Sequence, residues 1–170
     1  MFELTMKIAI IGAGMMGTTL AEQFLKSGHE VLVYNEVISK TKMYMAMGAD
    51  PMMSPTEAIF KSDASIIIMQ NSEELKSILL ENTDRRAFEG KLLLNGTITD
   101  PEESTEIAVV INENGGKFSA MSITNNPGQI ENKLTDFIIG PDPESQKFWT
   151  DLFIQVLPDP SQYEVGDAMK

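Results

Sequence analysis

KIAIIGAGMMG, residues Lys7 to Gly17, is an apolar β-type run that breaks into three glycines, Gly12, Gly14 and Gly17. It opens at once onto the helical pattern TTLAEQFLKSG. This is the layout of a dinucleotide-binding loop. Gly12 suits the tight turn out of the strand, Gly14 lets backbone approach a pyrophosphate, and Gly17 lets the helix press on the strand. The pyrophosphate would sit at the helix N-terminus, where unpaired N–H groups and the positive end of the helix dipole favour negative charge. No basic side chain is needed in such a loop, and none is present.

The neighbouring residues separate this stretch from an ordinary glycine turn. Glu30-Val-Leu-Val-Tyr-Asn35 is a second short β-rich run, and Gly28 stands where a left-handed residue would end the intervening helix. Strand, loop, helix and strand make one βαβ unit. Asn35 and Glu36 lie about 20 residues beyond the loop, where an acidic side chain commonly bonds the adenosine ribose hydroxyls.

The alternation continues along the chain. Ser39 to Met47 reads as a helix ending at Gly48, and Ser54-Pro55-Thr56-Glu57 carries a capping signature with proline at the first helical position. Ala64 to Met69 reads as a strand buried on both faces. Asn71 with Glu74 three residues on caps another helix, and Lys91 to Leu94 is the next apolar strand. Asp100-Pro101-Glu102-Glu103 starts a helix that runs to Gly115-Gly116, followed by strand candidates at Lys117 to Ile123 and Thr135 to Gly140. Asp142-Pro143 opens a last helix whose Phe148, Trp149, Leu152 and Phe153 recur at helical spacing, as core residues do. The expected fold is α/β: a Rossmann-type, doubly wound, mainly parallel sheet, as one domain over residues 1–164. Ligands of such sheets bind at the carboxyl ends of the strands. That rule puts the glycine loop, Asn35, Met69 to Ser72, Asn95 to Ile98 and Thr124 to Pro127 on one rim.

Composition narrows the function. The chain has 170 residues, no cysteine and one histidine, which excludes disulfides, thiolate catalysis and cysteine- or histidine-cluster metal sites. A net charge of −12 opposes nucleic acid and anionic membranes as partners. No apolar run approaches the roughly 20 residues of a membrane span, and no secretory signal is visible, so a cytoplasmic location is expected. The 12 methionines read as core filling. His29, between helix and strand and opposite the ligand rim, reads as structural.

GAGMMG, SGHEVLVYN, Gly48-Ala49 before Ser54-Pro55-x-Glu57, and Ser62-Asp63 resemble the β-hydroxyacid dehydrogenases, which include 3-hydroxyisobutyrate and 6-phosphogluconate dehydrogenases. The resemblance implies an NAD(P)-binding domain of an oxidoreductase acting on the CH–OH group of a small hydroxy acid. Members follow this domain with a helical one that closes the active site and makes the dimer, and that domain is expected to be missing here. On this pattern Gly12, Gly14, Met15, Met16 and Gly17 hold the pyrophosphate. Met69-Gln70-Asn71 falls where members have Met-Leu-Pro beside the ribose and nicotinamide. Thr97-Ile98 matches the end of a Ser-Thr-Ile motif beside the nicotinamide, with Gly96 in place of the serine. Thr124-Asn125-Asn126-Pro127 replaces a Ser-Gly-Gly turn that holds the substrate carboxylate. Gly166 to Lys170 matches the start of the family's interdomain helix, Gly-x-x-x-Lys, which places Lys170 as the catalytic acid and base. As the last residue of the chain it would be solvated, so turnover by this chain alone is not expected.

The cofactor signals are split. Asn35 and Lys40 match NADP-using members, whereas Glu36 stands where those members carry arginine and would repel a 2′-phosphate. The reading leans to NAD and keeps NADP open. Two alternatives accompany it: an imine reductase domain, suggested by Asn95-Gly96-Thr97 and by Ile123 to Ile130 around Pro127, and a non-catalytic nucleotide-binding module. A homodimer is a further possibility the resemblance raises.

Overall fold

In the computed structural model, residues 5–12, 15–123, 137–139, 142–156 and 165–167 are described. Strand β1, Lys7–Ile11, lies at the centre, with β2, Glu30–Tyr34, on one side and β4, Ala64–Ile67, on the other, both parallel to it. The short β3, Asp50–Pro51, edges β2, while β5, Leu92–Asn95, and β6, Lys117–Ile123, extend the sheet beyond β4. The chain thus winds outward from β1 in one direction, returns, and winds outward in the other. The reversal between β1 and β4 is the place where an open α/β sheet leaves a crevice at its carboxyl edge. Two more strands follow: β7, Phe137–Ile139, antiparallel to β6, and β8, Val165–Asp167, parallel to β7.

Alternate residues of the strands feed two cores, as the two-residue period of a strand requires. Ile8, Ile10, Val31, Val33, Ile66 and Leu94 face helices α1 (Met15–Lys26), α2 (Lys42–Met47) and α6 (Pro143–Val156), meeting Leu20, Phe24, Tyr44, Trp149 and Phe153. Ala9, Ile11, Leu32, Ile67 and Leu93 face α3 (Pro55–Lys61), α4 (Ser72–Lys76) and α5 (Pro101–Glu113), meeting Ile59, Leu75, Phe88, Ile107 and Ile111. Because both faces are covered, the central strands read as continuous apolar runs.

The helix boundaries follow local chemistry. Ser54, Asn71 and Asp100 each accept the N–H three residues on, from Glu57, Glu74 and Glu103. Helix α1 ends at Gly28, whose φ of +88° suits a residue without Cβ. There Gly28 N–H donates to the Leu25 carbonyl and His29 N–H to that of Phe24, a paired closure of the last turn.

Several expectations are corrected. The helix expected from Ser39 is a 3₁₀ turn over Ile38–Thr41 before α2 starts at Lys42. The strands expected to reach Asn35 and Met69 stop at Tyr34 and Ile67, because Asn35 and Met69 turn onto the rim. β3 and the 3₁₀ turn Arg85–Phe88 were not foreseen. Where a helix was expected to begin at Gly166, Val165–Asp167 pairs with the open edge of β7 as a strand; 168–170, with Lys170, lie outside the described residues.

Candidate functional site

Hydrogen bonds carry the sheet past its strand ends and build a rim at its carboxyl edge. Gly12 N–H donates to the Tyr34 carbonyl at 3.0 Å, Ile68 N–H to Ile11 at 2.9 Å, and Gly96 N–H to Ile67 at 2.8 Å. Farther along, Met69 N–H donates to Thr97 Oγ1 at 2.9 Å. Thr97 is itself held by Asn95, whose Oδ1 accepts the Thr97 N–H at 2.8 Å. Asn95 and Thr97 are both buried, so one hydroxyl ties the loop after β4 to the loop after β5 and one amide fixes the latter.

Above this rim a cleft of about 120 Å³ is lined by Gly12, Asn35, Glu36, Lys40, Met69 and Gln70, with Tyr34, Val37, Ile68 and Glu74. Gly12 has a φ of +110°, and a Cβ there would run into the Ile68 carbonyl oxygen. Backbone from β1 and β4 approaches so closely at this point that only glycine fits. Helix α1 then starts at Met15, three residues after Gly12. A helix N-terminus offers backbone N–H groups and a positive dipole end to an anion, so this arrangement fits a dinucleotide pyrophosphate.

On the β2 wall, Asn35 Oδ1 accepts the Val37 N–H at 2.8 Å, which leaves the amide Nδ2 as the outward donor of that side chain. Glu36 and Lys40 are exposed beside it. Burial, and after it the Glu36 carboxylate, push the Tyr34 phenol above its ordinary value, so it stays protonated at neutral pH. On the β4 wall, Asn71 does not line the cleft; its Oδ1 caps α4. Glu74 Oε2 reaches back to the Gln70 N–H at 3.2 Å. The carboxylate therefore braces the loop one residue before the cap.

Gly17 stands behind the loop, on the core side of α1. A Cβ on it would lie 2.5 Å from the Tyr44 hydroxyl and 3.3 Å from Ile10 Cγ2. The glycine therefore admits both β1 and a tyrosine from α2, and Tyr44 is only 1% exposed. Gly96 is confined too: a Cβ would come within 2.7 Å of Met121 Cε and 2.9 Å of Ile68 Cγ1. Those two apolar ends occupy the space a serine side chain would need. Ile98 beside it is 92% exposed on the rim.

The structure thus brings Gly12, Asn35, Glu36, Lys40, Met69 and Gln70 into one cleft and ties Thr97 to it. Gly14, Thr124, Asn125, Asn126 and Lys170 lie outside the described residues, and of Met15 and Met16 only the backbone is described. Sequence reasoning missed Tyr34, Val37, Ile68 and Glu74 as lining residues and Tyr44 as the partner of Gly17. Glu74 carried a signal, its capping spacing from Asn71, but that spacing points to the helix and not to the cleft.

Comparison with known proteins agrees with this geometry. Residues 7–156 match the family model described as the NAD binding domain of 6-phosphogluconate dehydrogenase. A cytokine-like nuclear factor N-PAC of Xenopus tropicalis is 28% identical over 122 residues, 71% of this chain and 23% of that protein. Glyoxylate/succinic semialdehyde reductase 1 of Arabidopsis thaliana is 29% identical over 115 residues, covering 66% of this chain and 40% of the reductase. Imine reductase from Myxococcus stipitatus shares the fold: its V8 variant with NAD+ superposes with a TM-score of 0.84 at 19% identity, covering 96% of this chain and 55% of that one. The same reductase with NADP+ gives 0.83 at 20% identity, over 95% and 54%. The chain therefore spans about a quarter to somewhat over half the length of these relatives. A match over residues 7–156 and a glycine turn of this geometry together make the chain a member of the 6-phosphogluconate dehydrogenase NAD-binding domain family.

Proposed function

We propose that this chain is the cofactor-holding unit of an NAD(P)-dependent oxidoreductase that acts on the CH–OH group of a small hydroxy acid or reduces the corresponding carbonyl. The observation that carries the reading is the stitched rim, from Gly12 through Met69 to the buried Thr97, which leads from the adenosine cleft to the exposed Ile98. When bound, the nicotinamide supplies or accepts hydride. The chain's own residues bind and orient: Gly12 to Gly17 at the pyrophosphate; Asn35, Glu36 and Lys40 at the ribose; Met69, Gln70, Asn71 and Thr97 along the path to the nicotinamide. Gly96 and Thr124 to Asn126 would meet substrate, and Lys170 would exchange the proton of its hydroxyl group once buried by further structure. Glu36 favours NAD over NADP by repelling a 2′-phosphate. Calorimetric titration of the chain with both cofactors tests the binding claim, and absence of binding to either would sink it. Hydroxy-acid oxidation by the longest natural form tests the chemistry.

A second reading rests on Gly96. Met121 and Ile68 close off the space beside it, which removes a hydroxyl that the hydroxy-acid reading would use and suits a less polar substrate such as a cyclic imine. An assay of cyclic imine reduction by the same long form separates the two. Cofactor binding with turnover of neither class would assign a non-catalytic sensing module.

A further inference from the structure

The cleft offers acceptors and donors in an uneven arrangement. The β2 wall carries Asn35 Nδ2 and Lys40 as donors with Glu36 as acceptor, the groups assigned above to the ribose, while Tyr34, Val37 and Ile68 complete that side of the cleft. On the β4 wall the charged acceptor is Glu74. Its Oε2 is held by the Gln70 N–H, its own N–H is capped by Asn71, and Oε1 has no hydrogen-bond partner among the described residues. The carboxylate is half-buried and fixed, with one oxygen committed to the loop and the other available at the cleft.

Resting on the cofactor reading above, we propose that Glu74 reads the base: its second carboxylate oxygen accepts a hydrogen bond from the exocyclic amino group of adenine. Adenine presents one amino donor at C6, where hypoxanthine presents a carbonyl acceptor. A carboxylate that meets C6 from its N7 side, away from the N1–H of hypoxanthine, distinguishes the two, because facing the carbonyl it leaves two acceptors opposed without a proton between them. One charge-assisted hydrogen bond corresponds to about tenfold in affinity or more.

The experiment measures dissociation constants of the chain for NAD+ and for nicotinamide hypoxanthine dinucleotide, which differ in the group at C6 and in the proton that hypoxanthine carries at N1. The wild type binds NAD+ about tenfold more tightly. Glu74→Ala removes the loop brace together with the acceptor, so whatever its overall affinity it binds the two dinucleotides equally well. Glu74→Gln preserves the loop brace, since Gln70 N–H takes the amide oxygen and turns the NH₂ group to the cleft. This variant binds the hypoxanthine dinucleotide at least as tightly as NAD+, an inversion that a purely structural role would not produce. Equal weakening of both ligands in both variants, or no discrimination by the wild type, overturns the assignment of Glu74. Failure of the wild type to bind either dinucleotide instead overturns the cofactor reading on which the assignment rests.

Discussion

A Cβ at position 12 has nowhere to go: the φ of +110° is strained for any L side chain, and the obstacle is the backbone carbonyl of Ile68, which cannot rotate away. Gly12→Ala is therefore expected to lose at least about 2 kcal/mol of stability in denaturant titrations and to abolish cofactor binding. Gly17 differs because its obstacle is a side chain. The Tyr44 hydroxyl lies 2.5 Å from a Cβ there, whereas the ring carbon that bears it lies at 3.6 Å, an ordinary contact. Gly17→Ala should thus be strongly destabilising alone and much milder in a Tyr44→Phe background, with a coupling of about 1 kcal/mol or more in a double-mutant cycle. Additive losses would show that Tyr44 and Gly17 do not share this space. The glycine spacing revealed that something must press on α1. It could not reveal that a tyrosine some 27 positions later does so, because that contact exists only once α2 has packed on the same face as α1.

Helix starts with a side-chain cap are the best-read elements of this fold, since such a cap is decided within four residues. Ser54, Asn71 and Asp100 accept N–H bonds at 3.0, 2.9 and 2.9 Å, and alanine at any of them should cost about 1 kcal/mol in thermal or denaturant unfolding. Asn71→Ala should also weaken NAD+ binding, because it loosens the turn that Glu74 braces. β3 and the direction of β7, though not β7 itself, were hard to read for the opposite reason. A two-residue strand has no measurable period, and the antiparallel direction of β7 exists only in its pairing with β6. His29 joins the ends of β1 and β2: its Nδ1 accepts the Met6 N–H at 3.1 Å while its ring meets Phe24 edge-on. That bond requires the neutral ring, and burial lowers the His29 pKa from its ordinary 6.5. The unfolded chain therefore takes up a proton that the fold resists. Stability should be full above about pH 7, fall as pH drops through about 6.5, and level off below the folded value. His29→Gln should flatten that step in stability curves measured across pH.

At the scale of the whole molecule, the order of strands turns a run of local signals into a site. β1 carries the glycine turn, β4 the Met69 loop and β5 Thr97, and they become neighbours only because the winding reverses between β1 and β4. The alternation of strand and helix announced that topology, and with it most of the cleft, whereas the roles of Glu74 and Tyr44 depend on packing that no short window records. The same scale governs how the ligand arrives. The chain carries −12 net charge, and its cleft holds two carboxylates against one lysine, yet a dinucleotide is itself an anion. Long-range repulsion should slow encounter, while the N–H groups of the glycine turn hold the pyrophosphate over distances too short for salt to screen. Stopped-flow association of NADH is therefore expected to speed up as ionic strength rises from about 0.01 to 0.15 M, across which the screening length shortens from about 30 to 8 Å. Dissociation should change much less. An association rate that falls with salt would mean that a local positive field dominates at the cleft. Lys40→Gln would then remove the effect, marking Lys40 as a phosphate-attracting residue and overturning the preference for NAD over NADP.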